Sequence, residues 1–131
     1  SPMGDLADFA VQICESIGKN TSRIAAVCDR DSIIAVAGAP RRELADKRIS
    51  QELIQLMEAR KVYRAPGGAT PLPILDGFDR YRVAVAAPVL SEGDLMGCVA
   101  LLLEGGDAEL GEAEQKLVQT VAGFLGKQME I

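Results

Sequence analysis

The chain has 131 residues, 48% of them hydrophobic and 25% charged, the make-up of one ordinary globular domain with a single core. Its net charge of −5 argues against this segment holding DNA or RNA unaided, because phosphate backbones are gripped by clustered Lys and Arg. The absence of His removes the usual general base and the commonest metal ligand together, so no metal and no cofactor is expected.

Two Tyr, three Phe and no Trp make the core mostly aliphatic. The apolar runs are far shorter than the ~18 residues of a membrane span, and no leader pattern opens the chain, so a cytoplasmic protein without membrane contact is expected. The three cysteines, Cys14, Cys28 and Cys98, form no CxxC pair. They are expected to be reduced, buried thiols. The chain opens on Ser1 rather than Met, which predicts a piece excised from something longer.

In chain order, Leu6, Phe9, Ala10, Ile13, Cys14 and Ile17 form one stripe of an amphipathic helix, capped by Gly4 or Asp5 and stopped by Gly18 and Asn20. Arg23 to Cys28 and Ser32 to Ala37 read as antiparallel strands joined by Asp29-Arg30-Asp31. Gly38-Ala39-Pro40 breaks the second strand. Arg41 to Lys47 predicts a short helical turn anchored by Leu44. Ser50 is a candidate N-cap for a helix over Gln51 to Arg60, in which Leu53, Ile54 and Met57 follow helical spacing.

Lys61 to Arg64 predicts a brief edge strand. Ala65 to Gly77, with three Pro and three Gly, is the longest irregular segment, the kind that is usually functional. Arg80 to Ala87 begins with alternating polar and apolar residues, so one face should be wet. Pro88 marks an end, a bulge or an edge position. Val83 to Leu90 and Leu95 to Leu103 flank Ser91-Glu92-Gly93-Asp94, a hairpin signature. Gly105-Gly106-Asp107 turns the chain into a closing helix from Glu109 to Met129, ~30 Å long, whose length exceeds what a small sheet needs for cover.

The order of elements is helix, two strands, helix, strands, long helix, with helices on one side of an antiparallel sheet. That is an α+β architecture, a single domain over 1–131. Together with the hairpin APVLSEGDLMGCVALLL, it resembles a GAF domain. Within that group the chain is similar to the C-terminal domains of the stage V sporulation protein T family, AbrB-type transcription regulators of spore-forming bacteria. The residues that carry this likeness are Asp8-Phe9-Ala10, Cys28-Asp29-Arg30-Asp31, Ile34-Ala35-Val36 with Gly38, Ile49-Ser50, Gly97, Ala122-Gly123-Phe124-Leu125 and Gln128-Met129-Glu130. The loop from Ala65 to Gly77 matches nothing in it.

The resemblance implies a sensory and oligomerising module of a sporulation transcription regulator. It also implies an N-terminal swapped-hairpin DNA-binding domain outside this chain, with residues 1–4 as linker remnant, and assembly into a homodimer or tetramer. GAF domains pair through their terminal helices, so Phe9, Ile13, Ile17, Leu117, Val121, Phe124, Leu125 and Met129 are the expected seam. Ala122 and Gly123 would allow close approach there, and tight packing would compensate the ~1 kcal/mol that each of Gly123 and Gly126 costs a helix. Plain core is the alternative for both stripes.

Arg64, Arg80 and Arg82, which flank the irregular loop, are candidates to bind an unknown anionic effector, together with Asp76, because guanidinium groups pair carboxylates in a fixed fork. The alternative is local pairing with Asp76 and Asp79. Asp29-Arg30-Asp31 is either turn chemistry or a contact for a ligand or a partner arginine. Arg41-Arg42 and Lys47-Arg48 form either a solvated face balanced by Glu43 and Asp46 or a contact for the DNA-binding half or an acidic effector. Pro66-Gly67-Gly68-Ala69-Thr70 lacks the ending and context of a phosphate cradle. Two rival functions stand beside sensing: a purely structural oligomerisation domain, and a cysteine-based methionine sulfoxide reductase, which would need an accessible thiolate.

Overall fold

A computed structural model describes residues 6–105 and 110–130 of the chain. The elements are α1 (Leu6–Thr21), β1 (Ile24–Cys28), β2 (Ile33–Ala37), α2 (Arg41–Leu44), α3 (Gln51–Glu58), β3 (Tyr63–Arg64), β4 (Pro73–Leu75), β5 (Phe78–Ser91), β6 (Asp94–Glu104) and α4 (Glu112–Gln128). All six strands join one antiparallel sheet in the order β2-β1-β6-β5-β3, with β4 pairing β5 as well.

The β5–β6 hairpin is the centre of the sheet. Its two loop residues, Glu92 and Gly93, have φ of 50° and 86°, the left-handed pair that a two-residue hairpin needs to match strand twist. The β1–β2 turn is built by Asp29, whose Oδ1 accepts the N–H of both Asp31 and Ser32 at 2.8 Å. The turn reading of that charged triplet therefore holds.

The expected layering needs correction. Helices cover both faces of the sheet, not one. α1 and α4 lie on the first face, over Ala25, Val27, Ala35, Ala87, Val89, Val99 and Leu101. The second face carries Ala26, Ile33, Val83, Ala86, Ala100 and Leu102, and is covered by Leu44, Ile49, Leu53, Met57, Leu72 and Ile74. A register shift between Val83 and Val85 puts the consecutive residues Ala84 and Val85 both in the first core. Such a bulge lets one strand serve two layers out of phase. From Val83 to Ala87 β5 is buried on both sides, so the wet face expected for Arg80 to Ala87 ends at Arg82.

Other boundaries shift by local chemistry. α1 runs through Gly18 and Asn20 to Thr21. Within the irregular segment, Pro73–Leu75 pairs with β5, and Leu72 and Ile74 are buried. Pro88 is paired with Cys98 on β6, while β3 reaches only Val85 and Ala86 on the other side. Pro88 thus sits at a locally open edge, one of its three predicted settings. α4 is 17 residues long, about 25 Å, shorter than expected. Gly4, Asp5, Gly106, Asp107 and Glu109, named above as cap, turn and helix start, lie outside the described residues, as do residues 1–4.

Candidate functional site

The open space on the second face lies where the β1–β2 turn, α3 and the β5–β6 hairpin come together. A cleft of about 530 Å³ is lined by Arg30, Asp31, Arg48, Gln51, Ile54, Met57, Glu58 and Leu95. It is joined through Arg30, Glu58 and Leu95 to a neighbouring one of about 470 Å³ that adds Arg60, Asp94 and Met96. Volumes of this size accommodate small ligands.

Each of the three arginines is placed by backbone hydrogen bonding. Arg30 rides on the Asp29 turn. The segment before α3 is tied to that turn by Ile33 N–H to Lys47 O at 3.0 Å and Ile49 N–H to Asp31 O at 2.9 Å, which sets Arg48 opposite Ser32. Arg60 follows α3 in the left-handed region, φ 56°, a conformation that costs a non-glycine residue about 1 kcal/mol or more. Its guanidinium reaches across to Gly93 O with Nε at 3.3 Å and Nη2 at 3.1 Å.

The four residues expected to bind an effector are not gathered around this cleft. Arg80 is held by Glu43 and by Glu104, the latter at 3.0 Å, and lies over the Tyr81 ring. The hydrogen bond to Glu104 raises its pKa above the usual guanidinium value. Arg82 donates to Pro71 O at 3.0 Å. The carboxylate of Asp76 accepts the Gln51 N–H at 3.3 Å and 3.4 Å, at the start of α3. Arg64 is exposed on β3, opposite Val85. Local pairing is therefore what Arg80 does, but with Glu43 and Glu104 rather than with Asp76 or Asp79.

Beneath the irregular loop the core is filled, and a smaller cleft of about 360 Å³ opens at its edge between Leu72, Tyr63 and the Leu56 side of α3. Leu53, Met57, Ile74, Tyr81 and Val83 are all at most 2% exposed. Burial raises the Tyr81 pKa above that of a free phenol. Ser50 Oγ accepts the Leu53 N–H at 3.2 Å, the expected N-cap, and Ser50 N–H donates to Ile74 O at 2.9 Å. Loop and helix start are thereby locked together.

On the first face, the expected seam residues divide. Ile17 and Leu125 belong to the chain's own core, 6% and 0% exposed. Phe9, Ile13, Leu117, Val121 and Met129 are half-buried against that core. Phe124 is 49% exposed and, with Val11 at 45%, leaves apolar surface open to solvent. The two helix glycines also part company. A Cβ on Gly126 would fall 2.0 Å from Leu90 O, whereas one on Gly123 would meet nothing within 4 Å. The close packing at Gly126 is thus internal, α4 against β5.

The cysteines are free and buried, as expected. Cys28 and Cys98 face each other across β1 and β6. Cys28 is held well above the ordinary thiol pKa by its hydrogen bond to Cys98 and by burial, and burial pushes Cys14 up to about 12. Such thiols are poor nucleophiles, the reverse of what cysteine redox catalysis requires. Among the described residues no group of side chains has the make-up of a metal site, and no helix is long and apolar enough to cross a membrane.

A family described as stage V sporulation protein T C-terminal, transcription factor, matches residues 5–130. The chain belongs to that family. It is 32% identical over 131 residues to stage V sporulation protein T of Bacillus subtilis (strain 168), covering 99% of this chain and 72% of the relative. Among solved structures, the GAF domain of an Acinetobacter phosphoenolpyruvate-protein phosphotransferase superposes with a TM-score of 0.72 at 11% identity, covering 95% of this chain and 82% of that one. The second GAF domain of DevS from Mycobacterium smegmatis gives 0.70 at 16% identity, covering 94% and 91%. A type II free methionine-R-sulfoxide reductase from Thermoplasma acidophilum gives 0.64 at 10% identity, covering 97% and 100%. At such identities these likenesses carry the fold alone, and the fold is that of a GAF domain. The chain is the C-terminal, GAF-fold domain of a sporulation transcription factor.

Proposed function

We propose that this domain senses a small molecule in the cytoplasm and, by self-association through α1 and α4, passes the signal to an AbrB-type DNA-binding segment of the same protein. The observation that carries this reading is a shared hairpin. Arg60, on the cleft side, holds Gly93 O, while Gly126 of α4 lies against Leu90 O three positions earlier in the same β5–β6 hairpin. An effector that moves the turn acts directly on the seat of α4. Useful coupling needs unequal affinity for two assembly states, about 1–3 kcal/mol.

The seam in this proposal uses Phe124 and Val11 as its open apolar surface, rimmed by Phe9, Ile13, Leu117, Val121 and Met129, with Ile17 and Leu125 as backing. A dimer or tetramer follows from it. The rival of a purely structural scaffold predicts a domain with no room for a guest, against which the clefts of about 530 and 470 Å³ stand.

Sedimentation of the 131-residue chain tests the assembly: a dimer or larger species is expected, dissociated by Phe124→Glu without loss of helical signal. A monomer at every concentration overturns it. Thermal shift against a metabolite panel tests sensing. A ligand present at 100 times its Kd should stabilise by about 2.7 kcal/mol. An assembling protein that no compound stabilises overturns the sensing half.

A further inference from the structure

We propose that the cleft between the β1–β2 turn, α3 and the β5–β6 hairpin is a site for a small anion with a short apolar body, an inference that rests on the sensing role above. Three arginines border it in a chain whose net charge is −5. The ion pairs among the described residues use Arg23, Arg80 and Lys127. Arg30, Arg48 and Arg60 enter none of them, although Asp31, Glu58 and Asp94 line the same space. Guanidinium groups without a carboxylate partner, on the walls of a concave surface, are the chemistry that binds a carboxylate or phosphate head.

Arg60 carries the second, independent observation. It occupies a left-handed position at the end of α3, with Arg60 N–H to Met57 O at 2.8 Å and Lys61 N–H to Leu56 O at 3.1 Å. Glycine is the usual residue in that C-terminal motif. An arginine kept there at a conformational cost is explained by its side chain, which closes the cleft between Glu58 O and Gly93 O. Ile54, Met57 and Leu95 supply an apolar wall, so the body of the ligand is hydrocarbon. The three carboxylates that share the lining offset the three cations.

Binding to the 131-residue chain is measured by calorimetry with hexanoate, hexyl phosphate and hexylammonium, and located by amide NMR shifts. The expected result is saturable binding of a hexyl anion, with shifts at Gly93 and Leu95, and none of hexylammonium. Hexanoate against hexyl phosphate separates a carboxylate head from a phosphate head. Arg30→Ala and Arg48→Ala should each weaken binding by about tenfold, the scale of one charge-assisted hydrogen bond, while Lys61→Ala, outside the cleft, leaves it unchanged. Both arginines are exposed, and circular dichroism checks that the variants keep their fold. No binding of either anion, or affinity unmoved by both arginine variants, overturns the site. If a compound from the metabolite panel still stabilises the arginine variants as it does the wild type, this site falls while the sensing role stands. If nothing in the panel or the hexyl series binds, both fall.

Discussion

The two faces of the sheet are closed in different ways. On the first, two long helices meet the sheet partly through small residues, with Ala10 and Ala122 of the helices and Ala25, Ala35 and Ala87 of the sheet all at most 2% exposed. Gly126 brings α4 onto the carbonyl of Leu90. On the second, two helices of four and eight residues and an irregular loop pack through larger side chains, with Ile33 and Tyr81 of the sheet and Ile49, Leu53 and Ile74 of its cover all at most 1% exposed. Regular helices close their face by backbone proximity and put their surplus apolar surface outside. The second face is held by side-chain-to-backbone hydrogen bonds at Ser50, Asp76 and Arg82, and such irregular cover leaves clefts. The exposed apolar side chains of Val11 and Phe124 and the cleft at the β1–β2 turn thus sit on opposite sides of one sheet.

The strongest test of that contrast is at the two glycines of α4. By helix propensity alone, replacing either by alanine should stabilise by about 1 kcal/mol. Gly126→Ala is expected to destabilise instead, by about 3 kcal/mol, since its methyl group would land on a backbone carbonyl that cannot step aside. Gly123→Ala, facing open space, should keep the propensity gain. Urea unfolding of both variants decides it. Equal signs would mean that α4 does not sit on β5 as closely as described.

A smaller effect is expected on the second face. Ser50→Ala removes the cap of α3 and should cost about 1 kcal/mol. The backbone bond from Ser50 N–H to Ile74 O survives the substitution, so hydrogen exchange should quicken at Leu53, where the side-chain cap is lost, and stay unchanged in α1. Uniform quickening would show that the two faces do not open independently.

The smallest effect concerns pH at the start of α4. Glu114 Oε1 accepts the Gly111 N–H at 2.8 Å, which lowers its pKa, with Arg23 adding to the effect from 3.6 Å. A depressed carboxylate contributes stability above its unfolded value, about 4.3, and loses it as pH falls through the folded value. Glu114→Gln should therefore cost a few tenths of a kcal/mol at neutral pH, and the gap should close below about pH 4. A gap that widens on acidification would reverse the sign and exclude the carboxylate as its source.

What was legible in the sequence was local. The stripe from Leu6 to Ile17, the Asp29 turn, the Ser50 cap and the Glu92-Gly93 hairpin each depend on residues within a few positions of one another. The likeness on which the family was read also lies largely in such segments. The effector candidates Asp76, Arg80 and Arg82 flank or end the irregular loop in sequence; Arg82 is tied to that loop at Pro71, but Arg80 is tied to Glu43 and Glu104, 37 and 24 positions away, and Asp76 to Gln51, 25 positions away. Arg30 and Arg48 belong to two separate charged motifs, Asp29-Arg30-Asp31 and Lys47-Arg48. Nothing in the chain order joins them to each other or to Arg60.

Periodicity and turn chemistry specified that there would be helices at both ends, a long hairpin, a buried aliphatic interior and buried thiols, since each of these follows from the preferences of neighbouring residues. Folding in three dimensions settled which glycine of α4 is packed and which is open, that both faces of β5 are covered, and which arginines share a cleft. Those outcomes depend on contacts between segments distant in sequence, where the geometry of the whole sheet sets the distance.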